Sequence, residues 1–199
     1  MANKPGKTFW LTALIIIALL AIFFYTSYNS LVRKQENVTR TWNNVQSDYQ
    51  RRLDLIPNLV STVKQSSEYE KDVLVKLTEA RAKAATVNVS GDVSYENYQK
   101  TEAANNEVVA SANRVIAVIE KYPDVKTTTG FLRLQDQLEG TERRIKFSRK
   151  DFNEAVMGYN KSVRSFPASL AAKLFGFKIK EGFTADMGTE KAPEINFTK

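Results

Sequence analysis

The chain lacks both histidine and cysteine. Catalytic arrangements of the Ser-His-Asp and Cys-His types are therefore excluded, as are zinc and iron–sulfur sites built from those residues. Without cysteine there are no disulfide bonds, which suits a cytoplasmic and an extracytoplasmic bacterial protein equally. A metal site made of carboxylates, or acid–base chemistry by carboxylates and lysines, is what remains open.

Charged side chains are missing from residues 9–27, an apolar run with Trp10 and Tyr25 near its ends. Its length approaches the roughly 20 residues that cross the hydrocarbon core of a bilayer, and such aromatic residues prefer the membrane interface. A cleaved signal peptide is the competing interpretation, but residues 23–25 are bulky where small residues would mark a cleavage site. We predict a short basic tail at residues 1–8, followed by a transmembrane anchor.

The charges that flank the anchor barely decide its orientation. Lys4 and Lys7 precede it, while Arg33, Lys34 and Arg40 follow it. A short basic head before one apolar segment is typical of a signal anchor. We therefore expect a single-pass protein of the bacterial inner membrane with an extracytoplasmic, periplasmic body. The net charge of +7 fits a solvated basic surface, and no nucleic-acid-binding module is recognisable.

Beyond the anchor, apolar residues recur every three or four positions, which predicts an all-α body. Pro57 interrupts the first of these patterns because proline lacks an N–H group and clashes with the carbonyl four residues earlier. Either a new helix starts here with Asp54 as its N-cap, or one long helix is kinked. We favour the break, because it gives helices of comparable length, as in a four-helix bundle. An unbroken helix would also leave residues 42–49 uncovered.

The remaining pattern predicts a second helix that fades near Ala85, a linker at residues 86–94, and a third helix stopped by Pro123. A long last helix carries the apolar series Phe131, Leu134, Leu138, Thr141, Ile145, Ser148, Phe152, Ala155, Tyr159, Val163 and Phe166. We expect the antiparallel four-helix bundle to occupy residues 28–167. In the tail, residues 168–199, we expect a helical turn at 168–174 and then an extended segment held by aromatic contacts.

Gly140 lies in the middle of the last helix, where glycine costs about 1 kcal/mol relative to alanine. The simplest compensation is close approach of a neighbouring helix. On that hypothesis a Gly140→Leu substitution would overpack the bundle and destabilise it by about 1–3 kcal/mol.

Several runs of residues carry a resemblance to a known family. They include Arg51-Arg52-Leu53-Asp54-Leu55-Ile56-Pro57-Asn58-Leu59-Val60, and also residues 28–32, 131–142, 166–167, 175–177 and 191–194. The chain resembles the LemA family of bacterial membrane-anchored proteins. The resemblance implies an antiparallel four-helix bundle behind an N-terminal anchor, and it implies no established biochemical role. The chain departs from the family at Arg143, where asparagine is common, at Leu53, and at Tyr69, where histidine is frequent.

We assign the candidate positions to packing and the family motif rather than to catalysis or to a cofactor or metal site. They are Asp54, Ile56, Pro57, Asn58, Leu138, Glu139, Gly140, Thr141, Glu142, Arg144, Phe166 and Pro167. Carboxylates among them could form a di-iron-like site together with Asp136, but such bundles also use histidine. We expect these carboxylates to pair with arginines instead, from the set Arg51, Arg52, Arg143, Arg144 and Arg149.

These observations favour a non-enzymatic, membrane-anchored module that docks or scaffolds another envelope protein or associates with itself. The alternative is a carboxylate-metal or small-ligand binding domain with a sensing or enzymatic role. Neither hypothesis includes nucleic acid as a partner.

Overall fold

The computed structural model describes residues 7–64, 71–87 and 94–183, and every regular element within these ranges is a helix. The all-helical prediction is therefore confirmed for this part of the chain. The helices are α1 Lys7–Lys64, α2 Lys71–Thr86, α3 Tyr95–Ile119, α4 Pro123–Lys126, α5 Thr129–Arg164 and α6 Ala168–Leu174. Tyr69, most of the predicted linker and residues 184–199 lie outside the described residues.

The N-terminal part of α1 is long and apolar enough to cross a membrane, and none of its apolar window is buried against the rest of the chain. Large apolar side chains such as Ile17 and Leu19 are exposed there. A continuous apolar surface of this size is unfavourable in water and suits a lipid environment.

The predicted helix break at Pro57 is wrong, because α1 continues through Pro57 to Lys64. Leu59 and Val63, expected in a second helix, are buried residues of α1. The expectation that an unbroken helix would leave residues 42–49 bare is wrong as well. Trp42, Val45 and Tyr49 are buried, and aromatic rings from α3, α5 and the C-terminal segment pack on Trp42.

The body is built on the pairing of α1 with α5. Residue numbers rise along α1 as they fall along α5, since Lys34 contacts Ser162 and Arg52 contacts Glu142. Next to this pair, α2 packs mainly against α3 and also against α1.

Two separate groups of buried side chains form the core. The distal cluster consists of Leu53, Ile56, Leu59, Val63, Leu74, Leu77, Ala80, Ala84, Ala104, Val108, Ala112, Val115, Ile119, Val125, Phe131 and Leu134. The proximal cluster, nearer to the anchor along α1, consists of Val38, Trp42, Val45, Tyr49, Tyr98, Ile145, Phe152, Val156 and Tyr159.

Residue types that commonly cap or interrupt helices lie at the ends of α3 and α5. The hydroxyl oxygens of Ser94 and Thr128 cap α3 and α5 by accepting hydrogen bonds from the backbone N–H groups of Asn97 and Phe131. The third helix ends at Ile119, shortly before Pro123, which starts the short helix α4. The predicted turn at residues 168–174 is confirmed as α6.

Candidate functional site

The motif around Pro57 is held together by a hydrogen bond from another helix. Because Pro57 has no N–H group, the carbonyl of Leu53, four residues earlier, loses its partner within the helix. The Nε atom of Arg81, in α2, donates to that carbonyl oxygen at 3.0 Å. Pro57 itself is exposed, so its ring does not displace core side chains. This contact explains how α1 can continue through the proline.

Asp54 does not cap a helix, contrary to expectation. It is exposed in the interior of α1, and its Oδ1 accepts a hydrogen bond from Nε2 of Gln50 at 2.8 Å. Ile56 is buried in the distal cluster, whereas Asn58 is exposed.

One of the expected pairs between a motif carboxylate and an arginine is present. Nη2 of Arg52 lies 2.6 Å from Oε2 of Glu142, and the arginine is buried while half of the Glu142 side chain is exposed. The Arg52 guanidinium also lies over the Tyr49 ring, 5.7 Å from its centroid. The ion pair joins α1 to α5 between the two clusters. It connects the motif run 51–60, which contains Arg52, to the run 131–142, which contains Glu142.

The other acidic motif residues do not converge with Glu142. Asp136, Glu139 and Arg144 are exposed, and no ion pair involves them within the described part of the chain. In the described ranges no three acidic residues are grouped closely enough to hold a metal ion. The geometry around Glu142 is that of a single interhelical ion pair.

The expectation that Gly140 accommodates a neighbouring helix of this chain is wrong. Apart from the chain neighbours of Gly140 and the nearby backbone of α5, no heavy atom of the described residues would lie within 4 Å of a Cβ atom added there. Leu138 and Thr141, on either side, face inward instead. Leu138 packs against the distal cluster, and the buried hydroxyl of Thr141 donates to the carbonyl of Gln137 at 2.8 Å. The predicted overpacking by Gly140→Leu therefore has no basis within the chain.

The C-terminal segment 177–183 is fastened to α5 by two asparagines that the sequence reasoning did not identify. Asn153 accepts from the N–H of Phe183 and donates to its carbonyl, at 2.8 and 3.1 Å. Asn160 makes the same pair of bonds to Lys180, at 2.9 and 2.6 Å. The sequence signal is the placement of both asparagines, seven residues apart, beside an otherwise apolar helix face.

Aromatic packing completes this attachment and confirms the expected aromatic contacts as far as residue 183. The Phe183 ring packs on Trp42, Tyr98 and Phe152, with centroid distances of 5.8, 6.1 and 5.5 Å. Arg149 lies over the outer face of Phe183, 4.3 Å from its centroid, and forms an ion pair with Glu102 of α3. The segment 177–183 is thus a structural layer of the body.

A polar pocket of about 490 Å³ opens between α1, the end of α2 and α3. Its lining carries amides and hydroxyls but no charged group: Asn43, Gln46, Ser47, Tyr49, Gln50, Leu53, Ala84, Ala85, Val87, Thr101 and Asn105. Two of these side chains, Thr101 and Asn105, are buried, and their Oγ1 and Oδ1 atoms have no hydrogen-bond partner among the described residues. Buried polar atoms normally have partners, so these two atoms are exceptions. They are closed to solvent, and the polar groups that the pocket does expose include the side chains of Asn43 and Ser47.

Burial also shifts the ionisation of tyrosines that face the core. Desolvation raises the pKa of Tyr49 from its ordinary value to about 12, with smaller opposing effects of nearby arginines. Desolvation likewise raises the pKa of Tyr98 and of Tyr159. These residues stay neutral at physiological pH.

Phe166 and Pro167 of the motif follow the end of α5 and are both exposed, so the expectation that Phe166 belongs to the inward face of the last helix is wrong. They are joined by a cis peptide bond.

Comparison with known proteins identifies the family. The model of the LemA family matches residues 41–197, more than half of the chain. The chain belongs to the LemA family. This confirms the resemblance found in the motifs, and the N-terminal apolar helix indicates that this LemA family member is membrane-associated.

Individual relatives are distant but extend over most of the chain. Magnetosome protein MamQ 2 of Paramagnetospirillum magneticum is 23% identical over 194 positions, covering 86% of this chain and 71% of that protein. Magnetosome protein MamQ of Magnetospirillum gryphiswaldense is 22% identical over 198 positions, covering 89% and 73%. Protein LemA of Metamycoplasma hominis is 19% identical over 163 positions, covering 80% and 71%. Their names identify no reaction.

Proposed function

We propose that this LemA family protein is a non-enzymatic docking module of the bacterial envelope, which binds another envelope protein or a second copy of itself. In this proposal, residues 9–27 anchor an antiparallel four-helix bundle in the inner membrane, and the body lies in the periplasm. The continuous helix α1 supports this function, because it joins anchor and body without a flexible hinge. From residue 28 to residue 64 it extends roughly 55 Å from the membrane.

Gly140 is the observation that carries the docking proposal. A glycine in a helix interior costs about 1 kcal/mol, and among the described residues no neighbouring element packs against the space that Gly140 leaves. A helix of another molecule that approaches α5 closely would supply the missing reason. The outward face of α5 around Gly140 also carries the exposed side chains of Arg144 and Phe147, and arginine and aromatic residues are enriched in protein interfaces.

The test places a photoreactive amino acid at the exposed position Glu139 and identifies cross-linked products in intact cells. We expect one discrete product, either with another membrane protein or with a second copy, and we expect Gly140→Leu to abolish it. Gly158→Leu is the matched control, since Gly158 also has open space around its Cβ position and lies five turns further along α5.

Stability measurements separate docking from folding in this experiment. Because nothing within the chain contacts a Cβ at Gly140, Gly140→Leu should keep or raise the melting temperature. A lowered melting temperature would assign the glycine to internal packing. A cross-link that survives Gly140→Leu, or no discrete product at all, would overturn the docking proposal.

The orientation is tested separately. Since the chain has no native cysteine, Thr86→Cys provides a single thiol on the exposed end of α2. An impermeant thiol reagent should label it in cells whose outer membrane has been permeabilised. Labelling only after lysis would place the body in the cytoplasm.

The polar pocket supports a second candidate function, the sensing of a small neutral ligand. The exposed side chains of Asn43 and Ser47 in the lining could form hydrogen bonds with hydroxyl or amide groups, and the uncharged lining favours a neutral molecule such as a sugar. N-acetylglucosamine is a suitable probe because it carries both kinds of group. It should raise the melting temperature of the wild-type protein but not that of Asn43→Ala. No rise in the wild-type protein would count against this candidate.

A further inference from the structure

The segment 164–180 exposes apolar side chains that the body does not cover. Phe166 is 82% exposed, Leu174 66% and Ile179 61%, and Leu170 and Phe175 are about half exposed. Phe166, Leu170 and Leu174 are spaced by four residues, and Leu170 and Leu174 share one face of α6. The opposite side of α6 is buried through Ala171 and Ala172. An apolar surface of this kind marks an interaction site.

The position of this segment identifies what it contacts. The centroid of the Phe175 ring lies 6.4 Å from that of Phe24, which is inside the apolar span. It lies 5.0 Å from that of Tyr28, which directly follows the span. Phe177 also packs on Tyr28, at 5.7 Å. Since residues 9–27 match the thickness of the hydrocarbon core, Phe24 and Tyr28 bracket the surface of the bilayer. The exposed face of α6 therefore begins at the membrane interface.

The charges of the segment are complementary to a lipid surface. Between Gly158 and Lys180 the sequence has five basic residues, Lys161, Arg164, Lys173, Lys178 and Lys180, and no acidic residue. Arg33 and Lys34, exposed on α1 just above the span, add to this positive region. Basic residues near an anionic membrane surface are attracted to it, and the attraction falls off with distance and with salt. Their long side chains can place the charge among headgroups while apolar neighbours insert.

We propose that α6 and the adjoining residues 175–179 lie in the membrane interface as a second, monotopic contact of the protein with the bilayer. Phe166, Leu170, Leu174 and Ile179 enter the boundary between headgroups and acyl chains, as apolar faces of interfacial helices do. The basic residues contact anionic headgroups. The anchor and this contact together fix the tilt of the body relative to the membrane. The proposal concerns a different surface from the docking face of α5 and does not depend on it.

The test uses the full chain reconstituted in vesicles of phosphatidylcholine and phosphatidylglycerol. An environment-sensitive fluorophore is attached to Leu170→Cys or Leu174→Cys, in separate samples, and to Ala82→Cys as a control on the exposed surface of α2. We expect blue-shifted emission at 170 and 174, with several-fold quenching by lipids that carry a quencher in the acyl chain. Position 82 should show neither effect.

Each other outcome overturns the proposal. Emission at 170 and 174 that resembles position 82 would mean that the face points into water. Blue-shifted emission without quenching by the lipid quencher would mean that another protein or a second copy covers it. Circular dichroism melting of each labelled variant confirms that the body is folded, which is expected because both leucines are exposed.

Vesicles of phosphatidylcholine alone test the role of charge. Replacing Lys173 and Lys178 by glutamine should reduce the quenching at position 174 in the mixed vesicles more than in the neutral ones. Equal quenching with both lipid compositions would remove the anionic headgroups from the proposal.

Discussion

The distal cluster is aliphatic apart from Phe131 and receives side chains from α1, α2, α3, α4 and α5, whereas the proximal cluster is centred on Trp42, Tyr98 and Phe152. The difference follows from what covers the α1–α5 pair. Distally, α2 and most of α3 complete the layer. Near the anchor, α2 is absent from the proximal cluster. There the N-terminal end of α3 and the extended segment 177–183 cover the α1–α5 pair.

The comparison also shows two ways of satisfying backbone groups. Within a helix, backbone N–H and C=O groups form hydrogen bonds with one another. At Pro57, which has no N–H group, the side chain of Arg81 donates to the Leu53 carbonyl instead. In the extended segment 177–183, the amides of Asn153 and Asn160 pair with both backbone groups of Phe183 and Lys180. Polar side chains therefore supply the missing partners at Pro57 and along this segment.

The largest expected effect comes from comparing Phe152→Ala with Leu77→Ala, two fully buried residues of the two clusters. Phe152→Ala should lower the free energy of unfolding by about 3–5 kcal/mol, because buried apolar surface is lost and a cavity remains. Leu77→Ala should lower it slightly less, for the same reason. Hydrogen exchange should show loss of protection near residues 145–159 and 177–183 for Phe152→Ala. For Leu77→Ala the loss should be confined to α2 and its neighbours. Equal loss over the whole body in both variants would mean that the two clusters form one cooperative unit.

Alkaline pH should destabilise the proximal cluster selectively. Tyr49 has a pKa of about 12 in the folded state against 10.0 when exposed. Above pH 10 the unfolded state therefore releases its proton first, and stability that is fully present below pH 10 is lost as pH rises towards 12. The loss from Tyr49 alone is about 2–3 kcal/mol.

Chemical denaturation at several pH values checks this expectation. Tyr49→Phe should flatten the alkaline decline. An unaltered decline in Tyr49→Phe would assign the pH dependence to other groups.

The Pro57 motif offers a double-mutant cycle. Arg81→Ala should cost about 1–3 kcal/mol, because it leaves the Leu53 carbonyl without a donor. In a Pro57→Ala background the helix supplies its own N–H group, so the same substitution should cost clearly less. Thermal unfolding of the four proteins gives the coupling. Additive effects would show that Arg81 stabilises the helix in another way.

The smallest effect is expected at Gly182, where the tail passes Asn153. A Cβ atom there would lie 2.5 Å from Oδ1 of Asn153, an atom already engaged with the backbone of Phe183. Gly182→Ala should cost about 1 kcal/mol, the value of a typical hydrogen bond. It should also increase quenching of Trp42 by acrylamide. Gly176→Ala is not a valid control, because its positive φ of 76° adds strain of its own. Gly182→Ala in an Asn153→Ala background is the better control and should be nearly neutral.

The sequence by itself determined the anchor, the inward faces of the long helices and the short helix α6. These depend on local periodicity and on runs of apolar residues, which need no knowledge of distant partners. The tertiary structure decided three things. Pro57 does not end α1, because Arg81, 28 residues from Leu53, donates to the Leu53 carbonyl that the proline leaves without a partner. Gly140 faces away from the other described helices. Segment 177–183 completes the proximal core, because Asn153 and Asn160 meet backbone groups that lie 20 to 30 residues further along the chain.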